Sequence, residues 1–349
     1  MCATLRAAFS ISSSFILGAS LAVACLTGTA KAEVSVADFY KANPISIVVG
    51  YAPGGGYDAT ARLLARYLGR HIPGNPNIII RNMPGAGSVV AANFVYNTAP
   101  RDGSVLGMYA DIGPVAPLMG VKGAQFDPRQ FSWLGSIASR GTPVVVLRSD
   151  APAKTFNELQ TTEVLIGASG PDATSSYALL LNETLGTKMR VVQGYRGGTA
   201  EIELAMQRGE VHGRASAEWE RVKVADWARD GAINVILQMS LKRHPDLKHV
   251  PLALDLAKTE SDRQLMELIL GTNQFFRAYS GPPGIPVDRL SALREALVKI
   301  TKDKDFVSNF SSGYGVLEFA SPAEIETFLN RIYAFSPDVL KRASKFVAP

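Results

Sequence analysis

From residue 45 onward the chain alternates two kinds of apolar pattern. Short β-branched runs, ISIVVG (45–50), NIIIRN (77–82) and VLGMYAD (105–111), read as strands. Between them, DATARLLARYLGRHI and SVVAANFVYNTA place apolar residues at helical spacing. The alternation continues with strand patterns in PVVVLRS (143–149), VLIGAS (164–169), MRVVQGY, VHGRAS and INVILQM (233–239). Helical patterns lie in SSYALLLNETLG, which ends at Gly186, in TAEIELAMQRGE, and after the rigid loop SGPPGIP. SPAEIETFLNRIYAF opens with a capping box: Ser321 at the N-cap, Pro322 at N1 and Glu324 at N3. Strand–helix–strand repetition predicts parallel strands joined by right-handed crossovers, an α/β sheet covered on both faces. No low-complexity linker divides the chain. Two domains joined by several strand crossings are therefore expected, one from 33–145 plus 276–349 and the other from 146–275.

Two connections share one plan. Pro53-Gly54-Gly55-Gly56 follows the first strand, and Pro84-Gly85-Ala86-Gly87 follows the second. Both are predicted to lie at the C-terminal ends of neighbouring parallel strands, where open α/β sheets bind ligands. Glycine permits φ > 0 and close backbone approach. The first N–H groups of each following helix have no intrahelical partner, and the helix dipole adds partial positive charge. Together the turns predict an anion nest. Each turn alone also reads as an ordinary tight βα connection. Gly54, Gly56 and Ala59 match G-x-G-x-x-A, but Arg81 and Asn82 stand where a dinucleotide site needs an acid for the ribose. No G-x-x-x-x-G-K-S/T loop is present, and a carboxylate fits the two turns better than a nucleotide.

The N-terminus reads as a secretory signal. Arg6 is the only charge before Lys31, the stretch between is apolar, and Ala30-Lys31-Ala32 has the small-x-small cleavage pattern. Acylation at Cys25 and a retained membrane anchor are the alternatives. Of 349 residues, cleavage after Ala32 leaves 317, and both cysteines, Cys2 and Cys25, go with the leader. A cysteine-free exported chain must be held by its core. With Arg6 and Lys31 gone, 34 basic and 31 acidic residues remain, a charge of +3 without a basic stripe. Nucleic acid is therefore not expected as a partner. His71, His212, His244 and His249 form no metal pattern, and no G-x-S-x-G elbow appears. No cofactor is expected.

YAPGGGYDATAR and RNMPGAGSVVAANFVYNTAPRDGSVLG resemble the extracytoplasmic receptors of tripartite tricarboxylate transporters, the Bug-type solute-binding proteins. The resemblance extends through GASGPDATSSYALLLNETLG, VVQGYRGGTAEIELAMQRGEV and SGPPGIPVDRLSALREALVK, nearly the whole mature chain. It implies a type II periplasmic-binding-protein-like fold, with two doubly wound α/β lobes closing on a small carboxylate. It implies ligand contacts from Ala52, Gly54, Gly55, Gly56, Tyr57 and Asp58, and from Gly85, Ala86, Gly87 and Ser88. In the second lobe it points to Ser169, Asp172, Thr174 and Ser175, and to Tyr195, Arg196 and Gly197. The chain departs from the family pattern at Tyr177, near a position often held by histidine. It departs again at Gly194-Tyr195-Arg196-Gly197, where Pro-Tyr-Lys-Gly is usual, and at Asp111.

Several side chains carry two readings. Asp58 and Arg62 form either a solvated i,i+4 pair or a cap that orders the first turn's amides. Arg196 either grips the far end of a dicarboxylate or lies on the surface. Tyr195 and Trp219 wall the pocket or belong to the core. Asp111 pairs with a ligand amine or caps the next turn. The favoured reading is a monomeric, non-enzymatic periplasmic receptor that binds a di- or tricarboxylate or a related anion and delivers it to membrane permease subunits. An exported oxidoreductase using the Gly54-Gly56-Ala59 turn is the alternative, and a ligand sensor for a signalling partner is another. Aspartate at Gly55 or Gly85 is expected to abolish binding and leave the fold intact.

Overall fold

The computed structural model describes residues 34–346, apart from 112, 140, 171, 172, 196, 197 and 312–315, and gives only the backbone of 274. The expected leader (1–32) and the candidate residues Asp172, Arg196 and Gly197 lie outside the described residues. The chain begins with α1 (Val36–Ala42), β1 (Ile45–Val49), α2 (Gly56–Leu68), β2 (Ile78–Asn82), α3 (Val89–Asn97), β3 (Val105–Met108) and β4 (Ser132–Ser139). It continues through β5 (Pro143–Arg148), α4 (Phe156–Leu159), β6 (Val164–Ala168), α5 (Ala173–Leu185), β7 (Met189–Gln193) and α6 (Thr199–Arg208). Next come β8 (Gly213–Glu218), α7 (Trp219–Val222), β9 (Ile233–Gln238) and α8 (Glu260–Gly271). The last elements are β10 (Ala278–Gly281), α9 (Val287–Ile300), α10 (Lys304–Ser311), β11 (Val316–Ala320), α11 (Pro322–Ile332) and α12 (Pro337–Ser344).

Two mixed sheets result, one of six strands ordered β11-β4-β10-β3-β1-β2 and one of five ordered β7-β6-β8-β5-β9. The chain passes from the first to the second between β4 and β5 and returns between β9 and β10. β1 pairs in parallel with both β2 and β3, and β6 with both β7 and β8, as the crossover pattern predicts. The remaining pairings are antiparallel: β10 with β3 and β4, β11 with β4, and β5 with β8 and β9. An all-parallel expectation therefore fails at the strands that cross between sheets. β5 enters directly from β4 with no crossover before it, and β10 arrives from the other sheet, so neither is the return strand of a βαβ unit within its own sheet.

Side-chain alternation on β5 shows how the layers are built. Val145 and Leu147 join an apolar cluster that extends through Leu268 and Phe275 to Trp133 and Val48, so both sheets share it. Val144 and Val146 face the opposite side, against Ile202 and Met206 of α6. The other face of the first sheet holds Ile45, Ile47 and Val49 against Leu63 and Leu64 of α2 and Leu297 of α9. α12 ties the end of the chain back to the second sheet's helices. Its Arg342 reaches Glu183 of α5 at 2.9 Å and Asp262 of α8 at 2.6 Å. The capping box at Ser321 and Glu324 forms with both reciprocal bonds, and Pro322 sits in the first turn.

Candidate functional site

The two glycine turns are neighbours. Val49 pairs with Asn82 at the ends of β1 and β2, so both connections leave the same sheet edge side by side. Asn82 stitches them together, its Nδ2 donating to the Tyr51 carbonyl and to Asp58 Oδ1, both at 2.9 Å. Ser88 makes a second tie. Its Oγ donates to the Gly50 carbonyl at 3.1 Å and accepts from the Ala110 amide at 3.0 Å, joining the ends of β1 and β3 to the start of α3. Gly50 has to be glycine here, because a Cβ would sit 2.3 Å from Ser88 Oγ.

The second turn runs left-handed through four residues. Gly85, Ala86, Gly87 and Ser88 have φ of 141°, 45°, 59° and 75°. Ala86 and Ser88 each carry about 1–3 kcal/mol of backbone strain in that region. In the first turn, Gly55 is the N-cap of α2 and has no side chain to satisfy the helix's first amides. Asp58 is 3% exposed and accepts from the Gly54 amide at 2.9 Å and from Arg62 Nε at 2.9 Å. The Arg62 hydrogen bond, with those from Gly54 and Asn82, pushes its carboxyl down to about 2 against the opposing effect of burial. Asp58 is thus a buried cap that fixes the turn, and the Gly54 amide points at it. Tyr57 stacks on Tyr51 with ring centres 4.5 Å apart, and its hydroxyl donates to Asp111 at 3.4 Å. This contact ties Asp111 to the first turn.

The second group of candidates gathers at the C-terminal ends of β6 and β8. Thr174 Oγ1 accepts from the Ser169 amide at 2.9 Å, and Ser175 Oγ donates to the Gly170 carbonyl at 2.7 Å. Ser169 and Thr174, with Tyr177, line a cavity of about 360 Å3. Gly198 and Thr199 at the start of α6 close one side, and β8 contributes Arg214, Ser216 and Glu218. Tyr195 and Trp219 are not in this wall. Tyr195 packs in the cluster beneath α6, and Trp219 donates from its indole to Asp246 at 3.3 Å. No residue of either glycine turn lines the cavity, so the candidates fall into two groups, one on each sheet.

The three β8 side chains have no counterpart among the sequence candidates. Their signal is the alternation in HGRASAE, which puts Arg214, Ser216 and Glu218 at every second position of a strand flanked on both sides. Arg214 is 3% exposed and pairs with Glu203 of α6 at 2.6 Å. Burial pulls its guanidinium down from the ordinary arginine range, while Glu203 and Glu218 oppose that. Arg277 is a second unforeseen cation. It is 8% exposed, its guanidinium lies 4.6 Å over the Phe276 ring, and Nη2 is 3.8 Å from where a Cβ on Gly56 would stand. It adds positive charge at the amino end of α2.

Residues 61–269 match the family model described as tripartite tricarboxylate transporter family receptor. The chain belongs to this receptor family. A UPF0065 protein of Cupriavidus necator is 34% identical over 142 residues, 40% of this chain and 42% of that one. The chain spans about half the length, or less, of the first curated relatives it matches. A TctC solute-binding protein from Polaromonas, solved without ligand, superposes with a TM-score of 0.66 at 20% identity, covering 88% of this chain and 99% of that one. MatC of Rhodopseudomonas palustris, solved with bound malate, gives 0.51 at 19% identity over 88% and 99% of the two chains. These likenesses identify a two-lobed periplasmic-binding-protein fold. The two groups of candidate residues lie one on each sheet, at carboxyl ends of parallel strands. Among the described residues of this receptor, no group of three or more His, Cys, Asp or Glu side chains could hold a metal ion.

Proposed function

We propose that this protein is a periplasmic solute receptor that captures a small organic carboxylate between its lobes and hands it to a membrane transporter. The observation that carries the reading is the pair of glycine turns on adjacent strand ends, locked together by Ser88 and Asn82. A carboxylate leaving water needs its lost hydrogen bonds replaced. Amides from residues 55–58 and 85–88, held by Asp58 and Ser88, are placed to do so, and Arg277 adds charge nearby. Ser169 and Thr174, together with Arg196 and its neighbours, complete the site from the second lobe. Hinge closure brings the two groups onto one ligand, and the closed shape is what the permease subunits recognise. The lobes are 33–145 with 276–349, and 146–275.

The malate in MatC supports a carboxylate ligand. The dinucleotide alternative loses support from two contacts: Asp58 occupies the Gly54 amide, and Asn82, not an acid, ends β2. The receptor acts as a monomer, performs no catalysis, needs no cofactor and is exported by a cleaved leader. Among the described residues, no helix is long and apolar enough to cross a membrane.

Thermal unfolding with a panel of C4–C6 mono-, di- and tricarboxylates tests the reading. A ligand at a hundred times its Kd stabilises by about 2.7 kcal/mol, read as a rise of several degrees, and nucleotides should give none. Stabilisation by NAD or ATP with no response to any carboxylate would overturn it.

A further inference from the structure

The cavity at the edge of the second sheet contains buried polar atoms that the fold leaves unused. Arg214 directs Nη1 to Glu203 at 2.6 Å, and Nη2 to Thr199 Oγ1 at 3.3 Å and the Ser216 carbonyl at 2.9 Å. Among the described residues its Nε has no partner, and neither has the buried Oγ of Ser216. Both residues stand in the wall of the same cavity. A buried polar group without a partner costs about 1–3 kcal/mol, so a cavity bordered by two of them is suited to a polar occupant.

The charges around the cavity decide which kind. Arg214 is matched by Glu203, and Glu218 by Arg221 at 3.9 Å. Among the described residues these cations and anions cancel. A second carboxylate entering here would shed its water shell and find, among the described residues, no unmatched cation in exchange, only the partial positive charge at the starts of α5 and α6. An ammonium would meet the same balance. A hydroxyl or primary amide loses far less on desolvation, and can accept from Arg214 Nε or Ser216 Oγ and donate to Glu218.

We propose that Arg214, Ser216 and Glu218 form the subsite that reads the far end of the ligand, and that it selects an uncharged hydrogen-bonding end over a second carboxylate. The proposal rests on the receptor reading above and narrows it to monocarboxylates with a hydroxyl or amide tail.

A matched series tests it by calorimetry: adipate, its monoamide, 6-hydroxyhexanoate and 6-aminohexanoate, with the four-carbon counterparts of each. The amide or the hydroxy acid should bind at least about tenfold tighter than the diacid and the amino acid of equal length, a difference of about 1.4 kcal/mol. Arg214→Met would leave the half-buried Glu203 without its ion-pair partner and put folding at risk, so the informative variants are Ser216→Ala and Glu218→Gln. S216A should weaken the amide and hydroxy acid severalfold and the diacid by less, narrowing the preference. E218Q leaves Arg221 unopposed and should strengthen the diacid about tenfold. A wild-type protein that binds the diacid as tightly as the monoamide, or a ranking that neither variant alters, would overturn the proposal and return the far end to Arg196. Failure of every member of both series to bind would instead remove the receptor reading itself.

Discussion

Gly55→Asp separates the anion nest from the fold more cleanly than any other change. Gly55 has φ −79° and ψ 171°, a conformation open to every residue, and a Cβ there meets nothing closer than the Ala52 carbonyl at 3.8 Å. It is also the N-cap of α2, a position where aspartate is among the preferred residues. Folding stability should therefore hold or rise by a few tenths of a kcal/mol. Binding should collapse for two reasons. The new carboxylate takes the helix's first amides for itself, and it places a negative charge where the ligand's carboxylate would sit. Two like charges about 4 Å apart at an effective dielectric of about 20 repel by about 4 kcal/mol, a loss of about a thousandfold in Kd. Gly55→Asn occupies the same amides without the charge and should lose only about tenfold. Calorimetry at low and high salt resolves the two parts, since only the aspartate variant should recover affinity as ionic strength rises. An unchanged Kd in Gly55→Asp, with unchanged thermal unfolding, would refute the nest. Gly85 is a poorer place for the same test. Its φ is +141° and a Cβ would lie 2.8 Å from Val90 Cγ2, so an aspartate there perturbs the turn itself and fold retention is not expected.

Ser88→Ala removes the tie between two strand ends and the start of α3 and leaves the Gly50 carbonyl and Ala110 amide without it; a loss of about 2–4 kcal/mol in urea unfolding is expected, and a change below about 0.5 kcal/mol would contradict the tie. Acid should weaken the first turn. Asp58 is held down at about 2, so its contribution is complete above the ordinary carboxylate range near pH 4 and drains away as pH falls toward 2. Asp58→Asn should flatten the dependence of stability on pH in that window, and an unchanged acid profile would argue against the cap. A side-chain amide at this position has one oxygen to accept with, so its nitrogen would face either Asn82 Nδ2 or the Gly54 amide, and weaker ligand binding should accompany the stability loss. Ser321→Ala removes the capping box of α11 and should cost about 1 kcal/mol with no effect on affinity.

The parts of this fold legible in the sequence are those written locally. β1 is buried through most of its length and is apolar except at Ser46, and α2 keeps its apolar residues on one face. β4 is hidden for a physical reason. SWLGSIAS breaks its apolar character with serine and glycine, yet seven of its eight residues are buried between β10 and β11. Small side chains fill that layer because other elements press close. A Cβ on Gly135 would meet the Ala320 carbonyl at 2.7 Å, and Ser136 Oγ donates to the Phe276 carbonyl. The strand is specified by what packs on it. β10 likewise has four residues, too few for a period to show, and owes its place to β3 and β4 on either side.

The same division runs through the candidate site. The glycine turns are legible because positive φ and an uncapped helix start are demands a short segment makes on its own residues. The role of Asp58 is half legible. Its spacing to Arg62 admits a surface pair, and only the fold reveals Asn82, 24 positions away, on the other carboxylate oxygen. Arg214 lies beyond that reach altogether. Its partners Glu203 and Thr199 come from α6, its cavity is completed by the start of α5, and nothing within three residues of it forms that wall except its own strand. A lone arginine in a run of small residues normally weakens a strand assignment. On a strand with neighbours at both edges, however, its charge has nowhere to go but into a helix contact or a cleft, and here it has both. A buried cation that the fold only partly satisfies is therefore the place to look for ligand specificity, whereas the glycine turns, built from backbone, can recognise a carboxylate without telling one metabolite from another.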